Sequence, residues 1–197
     1  MKALGKDSVA SLIRVGLTVF WIFLWFLAIC LGIAALGYGA FMLATASGLL
    51  NPELLSGDNH LRVNGEDVRL GDIAGLSWPI LVPAMLIGAV AIGGALMIVW
   101  RLRRLFESFS SGEPFRRENA NHLRAIWIIM LGIEIARYVL LGLTGILLAA
   151  TDTTLAEGAE FEFRVDLSTW GSILILIVLA EVFREGARLK EEQELTI

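Results

Sequence analysis

"VGLTVFWIFLWFLAICLGIAALGYGAFML", residues 15–43, contains no charged side chain, and the charge-free interval around it reaches from Arg14 to Glu53. A helix that crosses a bilayer needs about 20 mostly apolar residues, so this stretch spans with residues to spare. It is also longer than the apolar segment of a cleaved signal, which runs to about 7–15 residues. It therefore reads as a retained anchor behind Lys2, Lys6 and Arg14. Three more segments repeat the pattern. Residues 80–100 lie in the charge-free interval between Asp72 and Arg101. Residues 125–150 are interrupted only by Glu134 and Arg137. Residues 167–183 are near the minimum length. The totals agree: 56% of the 197 residues are hydrophobic and the mean hydropathy is +0.72, above the range of ordinary soluble domains. The predicted fold is an all-α membrane protein, one domain over 1–197 built as a four-transmembrane-helix bundle.

Basic residues give the direction. Lys2, Lys6 and Arg14 precede the first span. Arg101, Arg103, Arg104, Arg116, Arg117 and Arg124 fill the connection 101–124, and Arg184, Arg188 and Lys190 follow the fourth span. The opposite side holds Arg62, Arg69 and Arg164. The positive-inside rule then places both termini in the cytoplasm. A loop with six arginines also fits contact with nucleic acid or anionic lipid, but its plainer reading is a topology determinant, with no direct nucleic-acid binding. Trp78, Trp100, Trp127 and Trp170 mark span ends, where an indole has an apolar ring and a wet N–H. Trp21 and Trp25 fit that rule less well. Cys30 lies alone in an apolar run, so no intramolecular disulfide forms and the thiol reads as a small buried hydrophobe.

The external loops, 44–79 and 151–166, carry strand signals. In "HLRVNGEDVRL" two β-rich runs flank Asn64-Gly65, a hairpin signature that predicts strands near Leu61–Asn64 and Asp67–Leu70. In "EFEFRVDL" apolar and charged residues alternate, which predicts a third strand over Glu160–Asp166. Together they predict a small extracytoplasmic β-sheet cap, a hairpin plus one strand. Its alternative roles are a structural lid and a sensor surface.

Inside the membrane, Glu134 and Arg137 share one helix face, followed by Tyr138. Each charge alone costs about 2.5–3.5 kcal/mol at the bilayer centre. The pair reads either as polar glue or as a relay or counter-ion. Glu181 pairs more readily with Arg184 than with that couple. Small residues recur at four-residue spacing (Ala28/Gly32, Ala35/Gly39, Ala84/Gly88, Ala89/Gly93 and Gly132/Ala136), which predicts close helix contacts.

On the cytoplasmic side, Leu102, Leu105, Phe106 and Phe109 form an amphipathic stripe, and a break at 110–114 makes 101–124 a helical hairpin. The tail 184–197 continues the fourth span as a helix. Leu179, Val182, Phe183, Gly186 and Leu189 supply its apolar spacing. Leu195 and Ile197 need an apolar partner, either this chain's own hairpin or a second protein.

Two stretches, "LFESFSSGEPFRRENANHLR" (105–124) and "LAEVFREGARLKEEQELTI" (179–197), resemble the bacterial membrane family known as domain of unknown function 2975. The resemblance implies a four-span protein of the bacterial cytoplasmic membrane with no assigned enzymatic chemistry. It also implies a cytoplasmic face that binds a small Cro/C1-type helix-turn-helix regulator. Carried over by that resemblance, the partner-binding candidates are Phe106, Gly112, Phe115, Glu118, Asn119, Leu123 and Arg124 in the loop, and Glu181, Phe183, Gly186, Leu189, Glu192, Leu195, Thr196 and Ile197 in the tail. The expected function is a non-enzymatic signalling or regulatory interaction protein; the alternative is a small transporter or channel using Glu134 and Arg137. An enzyme ranks lowest, since His60 and His122 fall on opposite sides and no catalytic set presents itself. No cofactor or metal is expected, and a homo-oligomer stays open.

Overall fold

The structure, a computed structural model, describes residues 9–49, 60–63, 66–69, 78–110, 116–151 and 166–194. Its helices are α1 (Val9–Ala46), α2 (Trp78–Ser110), α3 (Arg117–Thr151) and α4 (Leu167–Glu194). Each contains a segment long and apolar enough to cross a membrane. Large apolar side chains point outward along them, among them Val19, Phe26 and Ile33 on α1, Ile146 on α3 and Ile175 on α4; Leu36 is 76% exposed. Water does not tolerate apolar surface on that scale. Hydrocarbon does, and a helix satisfies its own backbone there. The chain therefore reads as a multi-pass membrane protein. Cys30 corrects an expectation: it is exposed on α1, where lipid replaces protein as its apolar surroundings.

The chain divides into two compact units. The first gathers α1 as far as Ala28, α2 from Val90, α3 as far as Tyr138, and all of α4. Its core is Leu105, Leu123 and Ala180, with Phe109, Trp127, Leu176 and Phe183 packed against them. The Phe109 and Phe183 rings stack at 5.8 Å. This core follows from α4's inward stripe, Leu176, Ala180, Phe183 and Ala187, which repeats at helical spacing. The stripe expected there is partly wrong. Phe183 and Gly186 turn inward, but Val182 and Leu189 are exposed, because each lies off the Ala180–Ala187 line. Trp21 lies beneath Arg103, 5.9 Å from guanidinium to ring centroid. That contact explains a tryptophan well inside the apolar run of α1.

Close helix approach occurs at Gly94 on α2. A Cβ there would stand 2.7 Å from Ile133 Cγ1 on α3. Gly93 and Gly132, singled out by spacing, have nothing within 4 Å of a Cβ position, because their faces turn away from neighbouring helices.

The second unit holds α1 from Ile29, α2 as far as Ala89, and α3 from Val139. Gly88 meets Leu31 at 3.6 Å, while Gly32 and Gly39 meet nothing within 4 Å. α1 closes with a Schellman motif. Leu49 N donates to Ala44 O at 3.0 Å and Gly48 N to Thr45 O at 3.2 Å. Gly48 takes φ 72°, a conformation that glycine adopts without Cβ strain. In the same unit β1 (His60–Val63) pairs antiparallel with β2 (Glu66–Arg69), His60 opposite Arg69 and Val63 opposite Glu66. The expected third strand falls on residues 160–165, outside the described residues, except for Asp166. That residue precedes α4 as its cap rather than ending a strand.

Candidate functional site

α3 and α4 run antiparallel in the first unit, and their contacts fix a register. Leu123 and Ala180 share one core with Leu105, Trp127 and Ile177 line the same groove, and long side chains let Arg117 Nε reach Glu191 Oε1 at 3.1 Å a few residues off that register. As many residues separate Arg137 from Leu123 as separate Asp166 from Ala180. Arg137 therefore stands level with the start of α4, and Glu134 about level with Trp170. The polar pair belongs to the depth at which α4 begins, while α3 continues for several more turns.

At that depth Glu134 is 8% exposed. Its Oε2 accepts from Arg137 Nε at 3.2 Å and Nη2 at 2.7 Å. Arg137 Nη2 also donates to the Tyr138 hydroxyl at 3.3 Å, with the guanidinium 4.9 Å from the Tyr138 ring centroid. Spacing along α3 makes this possible, since residues three apart share a face. The two opposite charges are hydrogen-bonded to each other, a condition for carrying both in apolar surroundings. Across from it, Asp166 caps α4: Oδ2 accepts from the Thr169 hydroxyl at 2.8 Å and Oδ1 from Ser168 N at 2.9 Å. The Thr169 bond, then the Ser168 bond, hold the Asp166 carboxyl below the usual carboxylate range, and the Arg137 charge acts the same way. Among the described residues, Trp170 Nε1 is buried without an acceptor.

The second candidate region is formed by the helix ends beyond the apolar segments. Phe106 meets Phe109 edge-on at 5.9 Å. Asn119 is 1% exposed and donates through Nδ2 to Ser108 Oγ at 2.9 Å, tying α3 to α2. Leu123 and Phe183 belong to the core, so these three resemblance-derived candidates are structural in position. Glu118, Arg124, Glu181, Leu189 and Glu192 are exposed and Gly186 is half-buried. Glu181 pairs with Arg184, and Glu192 lies 3.5 Å from Arg188. Gly112, Phe115, Leu195, Thr196 and Ile197 lie outside the described residues.

Several partners had no advance signal in the sequence: Ser108 for Asn119, Glu191 for Arg117, and His122, whose Nδ1 lies 3.2 Å from Arg101 Nη1. Arg101 and Arg104 also lie over the Trp100 ring, at 4.9 and 5.6 Å.

No curated protein and no solved structure is detectably similar to the chain. One family model does match, over residues 63–197. Those residues include the hairpin's last strand, α2, α3, α4 and both stretches that carry the resemblance. The chain belongs to the family described as "Protein of unknown function (DUF2975)".

Proposed function

We propose that this is a non-enzymatic regulatory protein of the bacterial cytoplasmic membrane, with both termini cytoplasmic, whose helix ends beyond the membrane dock a partner protein. The observation that carries this reading is that α4 continues unbroken to Glu194, past the apolar segment that ends at Phe183, with Ala187 buried and Glu191 bonded to Arg117. A helix that only crossed the bilayer would need neither the extension nor its packing. The outer face of the extension carries Leu189, 50% exposed, among ion-paired charges. That is an apolar contact with a polar rim, as protein interfaces have. The partner's class, a small Cro/C1-type helix-turn-helix regulator, rests on the family resemblance alone. A β cap over the outer helix ends, completed by a third strand, belongs to the same proposal.

The test is photo-crosslinking in native membranes from a photoreactive residue at position 189, compared with position 175. Adducts to one regulator from 189 and none from 175 support the reading. Identical adduct patterns overturn it.

A further inference from the structure

We infer that the groove between α3 and α4 is a binding site for the phosphate headgroup of an anionic phospholipid. It rests on the multi-pass membrane reading and needs no protein partner. The groove has a volume of about 250 Å³, below the roughly 300–1,000 Å³ that receives a drug-sized ligand. The antiparallel register orders its lining by depth. Trp127 and Ile177 stand on the span side, Arg124 stands level with Ala180, and Asn121, Glu181 and Arg184 stand toward the charged helix ends. Apolar below and cationic above is the pattern an amphiphile presents in reverse, with acyl chains toward the span and phosphate toward the rim.

Charge favours the same ligand. Glu181 is already paired with Arg184 three residues on, so its carboxylate is neutralised and Arg124 remains as the excess charge. The other arginines of the four helices, and Arg116 before α3, are engaged. Arg101 and Arg104 lie over Trp100 and Arg103 over Trp21. Arg117, Arg137 and Arg188 pair with glutamates, and Arg14 and Arg116 have partners too. Arg124 alone of this set makes no hydrogen bond or ion pair among the described residues, and it lines the groove. A guanidinium presents two parallel N–H donors to a phosphate, and basic pockets between membrane helices bind anionic headgroups. The Trp127 indole beside it suits the headgroup boundary.

The test is native mass spectrometry of the full chain released from nanodiscs of equal phosphatidylglycerol and phosphatidylcholine, with Arg124→Gln, Arg124→Lys and Arg188→Gln alongside. The wild type should retain phosphatidylglycerol over phosphatidylcholine. Arg124→Gln should reduce that preference about tenfold, as for one lost charge-assisted contact. Arg124→Lys, which keeps the charge and the helix, should keep part of it, and Arg188→Gln should keep all of it. Equal retention of both lipids by the wild type, or no difference between Arg124→Gln and Arg188→Gln, overturns the inference. Release of phosphatidylglycerol by millimolar inorganic phosphate would reassign the site to free phosphate and also overturn it. Failure to find a crosslinked regulator bears on none of these readouts.

Discussion

Arg137 on α3 stands level with Asp166, the residue that caps α4. The two positions are equally far along the chain from Leu123 and Ala180, which share one core. The Arg137 charge is felt at the Asp166 carboxylate. Charge inside an apolar helix is thereby placed where a neighbouring helix begins, at a depth set by packing rather than by the middle of α3's own apolar run.

The cap gives a pH prediction. The Asp166 carboxyl titrates lower in the folded state than unfolded, so its contribution is present above the ordinary carboxylate range. It is lost as pH falls through the lowered folded value. Asp166→Asn keeps a capping side chain without the titration and should flatten that part of the acid dependence of thermal stability. Asp166→Ala should lower stability at neutral pH as well. Melting curves in detergent across the acid range check both, and an unchanged profile for Asp166→Asn would remove Asp166 as its source.

Glu134 and Arg137 should behave as one unit. Breaking a buried pair on one side costs up to about 3–5 kcal/mol, and the one-third exposure of the Arg137 side chain reduces that. Glu134→Leu alone should cost about 2 kcal/mol. Glu134→Leu with Arg137→Leu should cost less than the sum of the singles by about 1–3 kcal/mol. A double-mutant cycle on unfolding checks the coupling. If the couple serves transport instead, wild-type liposomes should pass protons or a solute, and Glu134→Gln should stop the flux.

Much of this architecture is legible in the sequence. Gaps between charges locate four helices, and Ser110 to Pro114 locate the break between α2 and α3. Helical spacing past Arg184 shows that α4 continues beyond its most apolar segment. The missing part is which face meets which. An all-apolar helix looks alike on every side, so small-residue spacing pointed to Gly93 and Gly132 while the contact lies at Gly94. Pairings such as Asn119 with Ser108 or Arg117 with Glu191 depend on how separate helices register, and no local pattern encodes that. The polar pair itself was visible, because two charges within residues 125–150 stand out; its level relative to α4 was not.

Gly94→Ala should destabilise despite alanine's better helix propensity, since overpacking costs about 1–3 kcal/mol against about 1 kcal/mol of propensity gain. Ile133→Val, which removes Cδ1 but keeps Cγ1, should restore it in part. Gly93→Ala next door should be neutral or stabilising. Paired melting curves of the three variants decide whether Gly94 is the contact.

Asn119→Ala should loosen the join between α2 and α3 by about 1–3 kcal/mol, because it removes a hydrogen bond from a buried site. Ser108→Ala should cost no more than that, and the two together should be less than additive. Hydrogen exchange at the amides of residues 105–110 and 119–124 reads the loosening locally.

The measurement that tests the central claim most directly is affinity purification from native membranes in mild detergent, comparing the full chain with one lacking residues 192–197. Co-purifying proteins are identified by mass spectrometry. The account predicts a small helix-turn-helix regulator with the full chain, lost from the shortened one while the membrane protein itself stays folded. An equal yield of that regulator from both chains, or its absence from both, would contradict the account.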